Sequence, residues 1–184
     1  AQESEQVIKF DDYKVGYSKM QISFGGKYTS KLWSFKKGKQ TISFTPDDLT
    51  KAADSFEAAL NKALEWDKIA DENDVEKLSK DMTFSFKTTE GMLEDAGYEV
   101  VGPKDADFSF ERFVSSANET FSYLKTSIWQ NGEYNVRSAF FTFPSVNVRD
   151  AEEVAKLREF LNFIKSNKSI IEEKIKDSKA DLFN

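Results

Sequence analysis

Ile42-Ser43-Phe44-Thr45-Pro46-Asp47-Asp48-Leu49 changes its period halfway along. Up to Phe44 apolar residues alternate with polar ones, the pattern of a strand with one buried face. Thr45 then supplies an N-cap oxygen, Pro46 a first helical position where the missing N–H is harmless, and Asp48 an acid three residues after the cap. A helix is expected to begin here. Beyond it Leu49, Ala52, Ala53, Phe56, Leu60, Ala63 and Leu64 recur at the helical period, one stripe that carries the helix to about Trp66. This stripe is expected to lie on the preceding sheet.

Upstream, Tyr13, Val15 and Tyr17 alternate, then Met20, Ile22 and Phe24 alternate on the opposite parity, so a turn or bulge is expected within Gly16 to Lys19. Gly25-Gly26 reads as a tight hairpin turn, and Lys37-Gly38 as another between Leu32–Phe35 and Gln40–Phe44. Together these make an antiparallel meander. Downstream, Asp71 to Asn73 breaks the helix and Asp74 to Ser79 reads as a short second one. Met82 to Lys87 and Phe108 to Val114 read as strands, with Phe84 and Phe86 inward. Asn131-Gly132, between Phe121–Trp129 and Tyr134–Phe143, is a strong hairpin signal. Asp150 with Glu153 opens a helix with the stripe Val154, Leu157, Leu161 and Ile164, and a thinly apolar third helix starts near Ser169.

Both halves run meander, then amphipathic helix, and Ile42–Pro46 resembles Phe141–Pro144 at the junction. The expected fold is therefore α+β: antiparallel β-meanders, each followed by an amphipathic helix packed on the sheet, in one domain over 1–184 with candidate pseudo-repeats at 7–70 and 82–166.

Composition narrows the chemistry. Among 184 residues there is neither histidine nor cysteine, so imidazole acid–base work, Ser-His-Asp and Cys-His triads, disulfides and thiolate metal sites are out of reach. No glycine spacing matches a phosphate loop, and no cofactor is expected. No apolar run approaches the roughly 20 residues of a membrane span. A net charge of −6 disfavours nucleic acid as a general partner, leaving an unknown protein or small ligand. The opening Ala1-Gln2-Glu3-Ser4 has the form left by signal-peptide cleavage, so export to a periplasmic or extracellular site is expected.

One segment departs from the acidic whole. Lys27, Lys31, Lys36, Lys37 and Lys39 interleave with Tyr28, Trp33 and Phe35, the residue types that neutralise phosphates and stack bases. Lys27, Lys31, Trp33, Lys36, Lys37 and Lys39 are thus candidate ligand-binding residues. The meander-plus-helix order resembles that of the whirly-type single-strand DNA binders, which implies single-strand binding through this segment. Alternation favours the opposite assignment, with Trp33 and Phe35 in the core and the lysines on a solvent face.

Leu93-Glu94-Asp95-Ala96-Gly97-Tyr98-Glu99-Val100-Val101-Gly102 resembles the first helix-to-strand junction of response-regulator receiver domains. The acidic pair that those domains place after the preceding strand is missing, since Thr88-Thr89 follows Lys87. Gly97 then reads as a helix C-cap leading into a strand. Acidic pairs at Asp11-Asp12, Asp47-Asp48, Glu94-Asp95 and Glu152-Glu153, with Asp105 and Asp107, could serve a carboxylate-based hydrolase, but their spacing singles none out. Asn118-Glu119-Thr120 and Asn167-Lys168-Ser169 match the N-glycosylation sequon. The leading expectation is a non-enzymatic, exported binding or structural protein. Single-strand nucleic-acid binding and a carboxylate hydrolase are the alternatives.

Overall fold

The computed structural model describes residues 8–26, 31–130 and 138–183. Four strands precede the first helix: β1 (Ile8–Val15), β2 (Ser18–Gly25), β3 (Leu32–Lys37) and β4 (Gln40–Phe44). They pair antiparallel in chain order. The parity shift between Val15 and Met20 is a two-residue turn at Gly16-Tyr17, closed by Val15 opposite Ser18, with Gly16 at φ 57°. Gly38 at φ 58° turns the chain between Lys37 and Gln40 as expected. The Gly25-Gly26 expectation needs correction. Gly25 still pairs with Leu32, so the connection is longer than a tight turn.

Helix α1 (Pro46–Glu72) starts where the sequence places it, and Asp48 donates its backbone N–H to the Thr45 hydroxyl at 3.2 Å. It runs past Trp66, because Asp67 and Asp71, one turn apart, are both held by Arg112. Asp74, at φ 53°, then breaks the helical path. The short helix expected over Asp74 to Ser79 is absent: this segment is a turn leading into β5 (Lys77–Lys87).

The chain continues as β6 (Met92–Asp95), β7 (Tyr98–Val101), β8 (Asp105–Val114), β9 (Thr120–Gln130), β10 (Ala139–Thr142) and β11 (Val146–Asn147). Next come α2 (Ala151–Lys165), α3 (Asn167–Ala180) and a 3-10 turn over Asp181–Phe183. Gly97 is no helix cap. Ala96 and Gly97, at φ 51° and 86°, form the hairpin turn between β6 and β7, and left-handed values at both centres are what a two-residue hairpin demands. The Asn131-Gly132 turn lies outside the described residues.

Two antiparallel sheets result. The first has the order β1-β2-β3-β4-β6-β7, the second β10-β9-β8-β5, with β11 also on β9. The α+β class stands, but β6 and β7 come from the second half and complete the first half's sheet, so the topology does not divide into two equivalent units.

One continuous apolar cluster draws on both sheets. From α1, Phe56 meets Phe108 of β8 edge-on at 5.0 Å and Phe143 at 5.3 Å. Phe143 in turn meets Phe35 of β3 and Phe160 of α2. Asp150 caps α2 by accepting from the N–H groups of Glu152 and Glu153, and Leu157, Phe160, Leu161 and Ile164 are its buried stripe. On β5, Phe84 and Phe86 are partly buried against the cluster. Leu60 has no exposed surface. Leu60→Ala is therefore expected to cost about 2–5 kcal/mol of unfolding free energy. An unchanged denaturant midpoint would contradict its place in the core.

Candidate ligand-binding face

The basic meander separates its two ingredients. Trp33 and Phe35 are fully buried, while Lys36 and Lys39 are exposed. Trp33 sits against Phe24 and Phe163 and donates its indole N–H to Asn167 Oδ1 at 3.3 Å. Stacking on a ligand is closed to it. Lys37 turns inward and donates to the Thr142 carbonyl at 3.1 Å, and burial lowers its pKa. Lys31 is partly buried beside a hollow lined by Gly91, Met92 and Val101. Lys36 and Lys39 do share a hollow of about 440 Å³ with Gly38, Thr41, Ala96 and Gly97, but Glu94 lines it too. Lys27 lies outside the described residues. Among the described ones, no surface joins these lysines to a ring of the same segment.

Three polar clusters lie elsewhere. In the largest, Arg112 of β8 donates Nε–H to the Val75 carbonyl at 2.8 Å, Nη1–H to Asp67 at 2.6 Å and Nη2–H to Asp71 at 3.1 Å. Ser122 and Arg149 also donate to Asp67. The hydrogen bond from Arg112 and the charge of Arg149 hold Asp71 below the usual carboxylate range. The charges in this cluster pair with one another, which suits a clamp between α1 and the second sheet.

The second cluster encloses Lys104. With no exposed surface, its ammonium donates to the carbonyls of Gly91 at 2.9 Å and Gly102 at 2.5 Å, at the two ends of the β6–β7 hairpin. Buried Asp48, read from sequence as a first-turn acid, accepts from the Thr89 N–H and hydroxyl and from the Glu90 N–H. Gly91 is required at the hairpin base: at φ 133°, a Cβ on it would lie 2.3 Å from the Ser43 carbonyl oxygen. Burial lowers the Lys104 pKa to about 8, against the opposing pull of Asp48. Below pH 8 both folded and unfolded chains carry this proton, and the buried ammonium costs the folded state. Between about pH 8 and 10.5 only the unfolded chain binds it, so stability should rise with pH across that window. Lys104→Met should flatten the rise in thermal midpoint. Parallel profiles for the two proteins would contradict the assignment.

In the third, burial raises the pKa of Glu153, which accepts from the Asn147 N–H at 2.7 Å. Burial and the nearby Glu153 charge raise the Tyr13 hydroxyl. The sequon residues differ in access. Asn167 is fully buried, bonded to Trp33, Thr50 and the Ile164 carbonyl, whereas Asn118 is exposed in the β8–β9 turn.

The second sheet presents a different surface. Along β8 and β9 the even positions from Ala106 to Arg112 and from Ser122 to Ile128 are buried on the α1 side. The odd positions form the other face and remain partly or fully exposed. Aromatic rings stand there. Phe113 pairs across the strands with Phe121 and stacks on it at 5.1 Å, and Tyr123 lies 6.0 Å from Phe113 and 6.2 Å from Phe121, nearly parallel to the latter at 6°. Six residues farther along β9 from Tyr123, Trp129 donates its indole N–H to Asp107 at 3.1 Å and pairs with Phe140 of β10, itself 45% exposed. Between these clusters lie Lys125, bonded to Glu111 at 2.7 Å, and Ser109 and Ser127. The sequence signal was apolar residues on both parities of one strand: Leu124 and Ile128 on one, Phe121, Tyr123 and Trp129 on the other.

No family model, curated protein or solved structure matches this chain.

Proposed function

We propose that the protein is a non-catalytic binding protein that takes its ligand on the outer face of the second sheet. The observation that carries this reading is the aromatic tier Phe113, Phe121 and Tyr123 on that face. An antiparallel sheet with one face on the core places polar residues on the other. Partly exposed rings gathered into one patch depart from that rule, and aromatic patches that reach the surface in this way mark interaction sites. The non-catalytic part is supported by how the buried charges are used. Arg112, Lys104 and Asp48 each bond to partners within the fold.

The test is retention of the protein on immobilised neutral polysaccharides, immobilised extended peptides and single-stranded DNA, repeated with Phe121→Ser/Tyr123→Ser. Retention by at least one class, lost in the double variant while Lys36→Glu keeps it, is the expected result. No retention by any class, or retention indifferent to the double variant, would remove the reading.

A further inference from the structure

Strand β9 carries its partly exposed rings at Phe121, Tyr123 and Trp129, all of one parity. Adjacent strands widen both ends of this row, with Phe113 beside Phe121 and Phe140 beside Trp129. At about 3.3 Å per residue the row from Phe121 to Trp129 is about 26 Å long. A compact ligand would meet one aromatic cluster. An extended chain lying along β9 meets both.

The stretch between the clusters decides the chemistry of that chain. Lys77, Lys87 and Lys125 share the face with Asp81, Asp105, Asp107 and Glu111, by the register of β5, β8 and β9. Lys125 is bound to Glu111, and Lys87 lies 3.9 Å from Asp105. The carboxylates outnumber the amines, and on a chain of net charge −6 this face offers no excess of positive charge to a polyanion. Its groups suit an uncharged ligand that alternates apolar patches with hydroxyls. The carboxylates accept from hydroxyls, Ser109, Ser127 and Lys125 donate to them, and the negative faces of the rings take C–H surfaces. A sugar ring has this make-up, with C–H groups on its faces and hydroxyls around its rim.

Resting on the binding reading above, we infer that the ligand is an uncharged polysaccharide chain lying along β9, its sugar rings stacked on the Phe113–Phe121–Tyr123 cluster at one end and on Trp129 with Phe140 at the other. The stretch between supplies hydrogen bonds to hydroxyls.

The experiment is calorimetric titration of the whole chain with cellohexaose, xylohexaose and laminarihexaose. Cellobiose, hexagalacturonate, an uncharged extended peptide and oligothymidylate serve as comparisons. At least one of the neutral hexaoses is expected to bind saturably, with an affinity unchanged between about 0.05 and 0.5 M salt. Cellobiose, too short to reach both clusters, is expected to bind about tenfold more weakly or not at all, as loss of one apolar stacking area implies. Tyr123→Ala and Trp129→Ala should each weaken the hexaose by about tenfold, and Tyr123→Phe, which keeps the ring, should retain it. Thermal midpoints separate lost contacts from lost folding. Failure of all three hexaoses overturns the inference, as does hexaose binding indifferent to both alanine variants. Tyr123-dependent binding of the peptide alone overturns it while leaving the binding reading intact, and a protein that binds none of the probes loses both.

Discussion

Arg112→Ala is expected to lower the unfolding free energy by about 3–5 kcal/mol, the cost of breaking a buried forked ion pair. Its side chain is 4% exposed and its three bonding groups reach the carbonyl after the α1 C-terminus and two carboxylates on the last turns of α1. Removing it takes from Asp67, whose side chain is 16% exposed, its shortest ion pair and leaves it Arg149 and Ser122. Arg112→Lys should recover only part of the loss, because one ammonium cannot fork to three acceptors at fixed angles. Denaturant unfolding of the three proteins checks this, and a cost below about 1 kcal/mol for Arg112→Ala would show that the clamp does not hold α1 to β8.

Trp33→Ala is expected to cost a similar amount, about 3–5 kcal/mol, through the emptied volume between Phe24 and Phe163. It also removes the donor to Asn167 Oδ1, at the start of α3, in a residue with no exposed surface. Charge reversal at Lys36, which is exposed, should stay within about 0.5 kcal/mol of the parent. Equal unfolding midpoints for Trp33→Ala and the parent protein would return Trp33 to the surface and reopen the basic meander as a stacking site.

Much of the fold was legible because local rules and burial agree where it is most regular. Thr45-Pro46 and Asp150 cap the helices they were expected to cap, and alternation sent Trp33 and Phe35 to the core side. The misreadings share a cause: long-range partners. Past Trp66, α1 is continued by a residue 41 to 45 positions away, Arg112, which no local pattern announces. Ala96-Gly97 looks like a helix end until β4 is placed beside Leu93, and the helix-like acids Glu94 and Asp95 then alternate along a strand. Asp48 reads from sequence as the acid that completes the α1 cap, yet its carboxylate is consumed by Thr89 and Glu90. The partly exposed rings of β9 were visible as letters but not as a face. Only the pairing with β8 fixes which parity α1 covers.

The most direct measurement is a map of backbone amide shifts on titration with a neutral hexaose that the protein binds. Perturbations should cluster at Phe113, Phe121, Tyr123 and Trp129 and along Ser109, Lys125 and Ser127 between them, leaving Lys36–Lys39 and α3 unmoved. Perturbations gathered at Lys31–Lys39, or on α3, with β8 and β9 silent, would contradict the placement of the ligand on the second sheet.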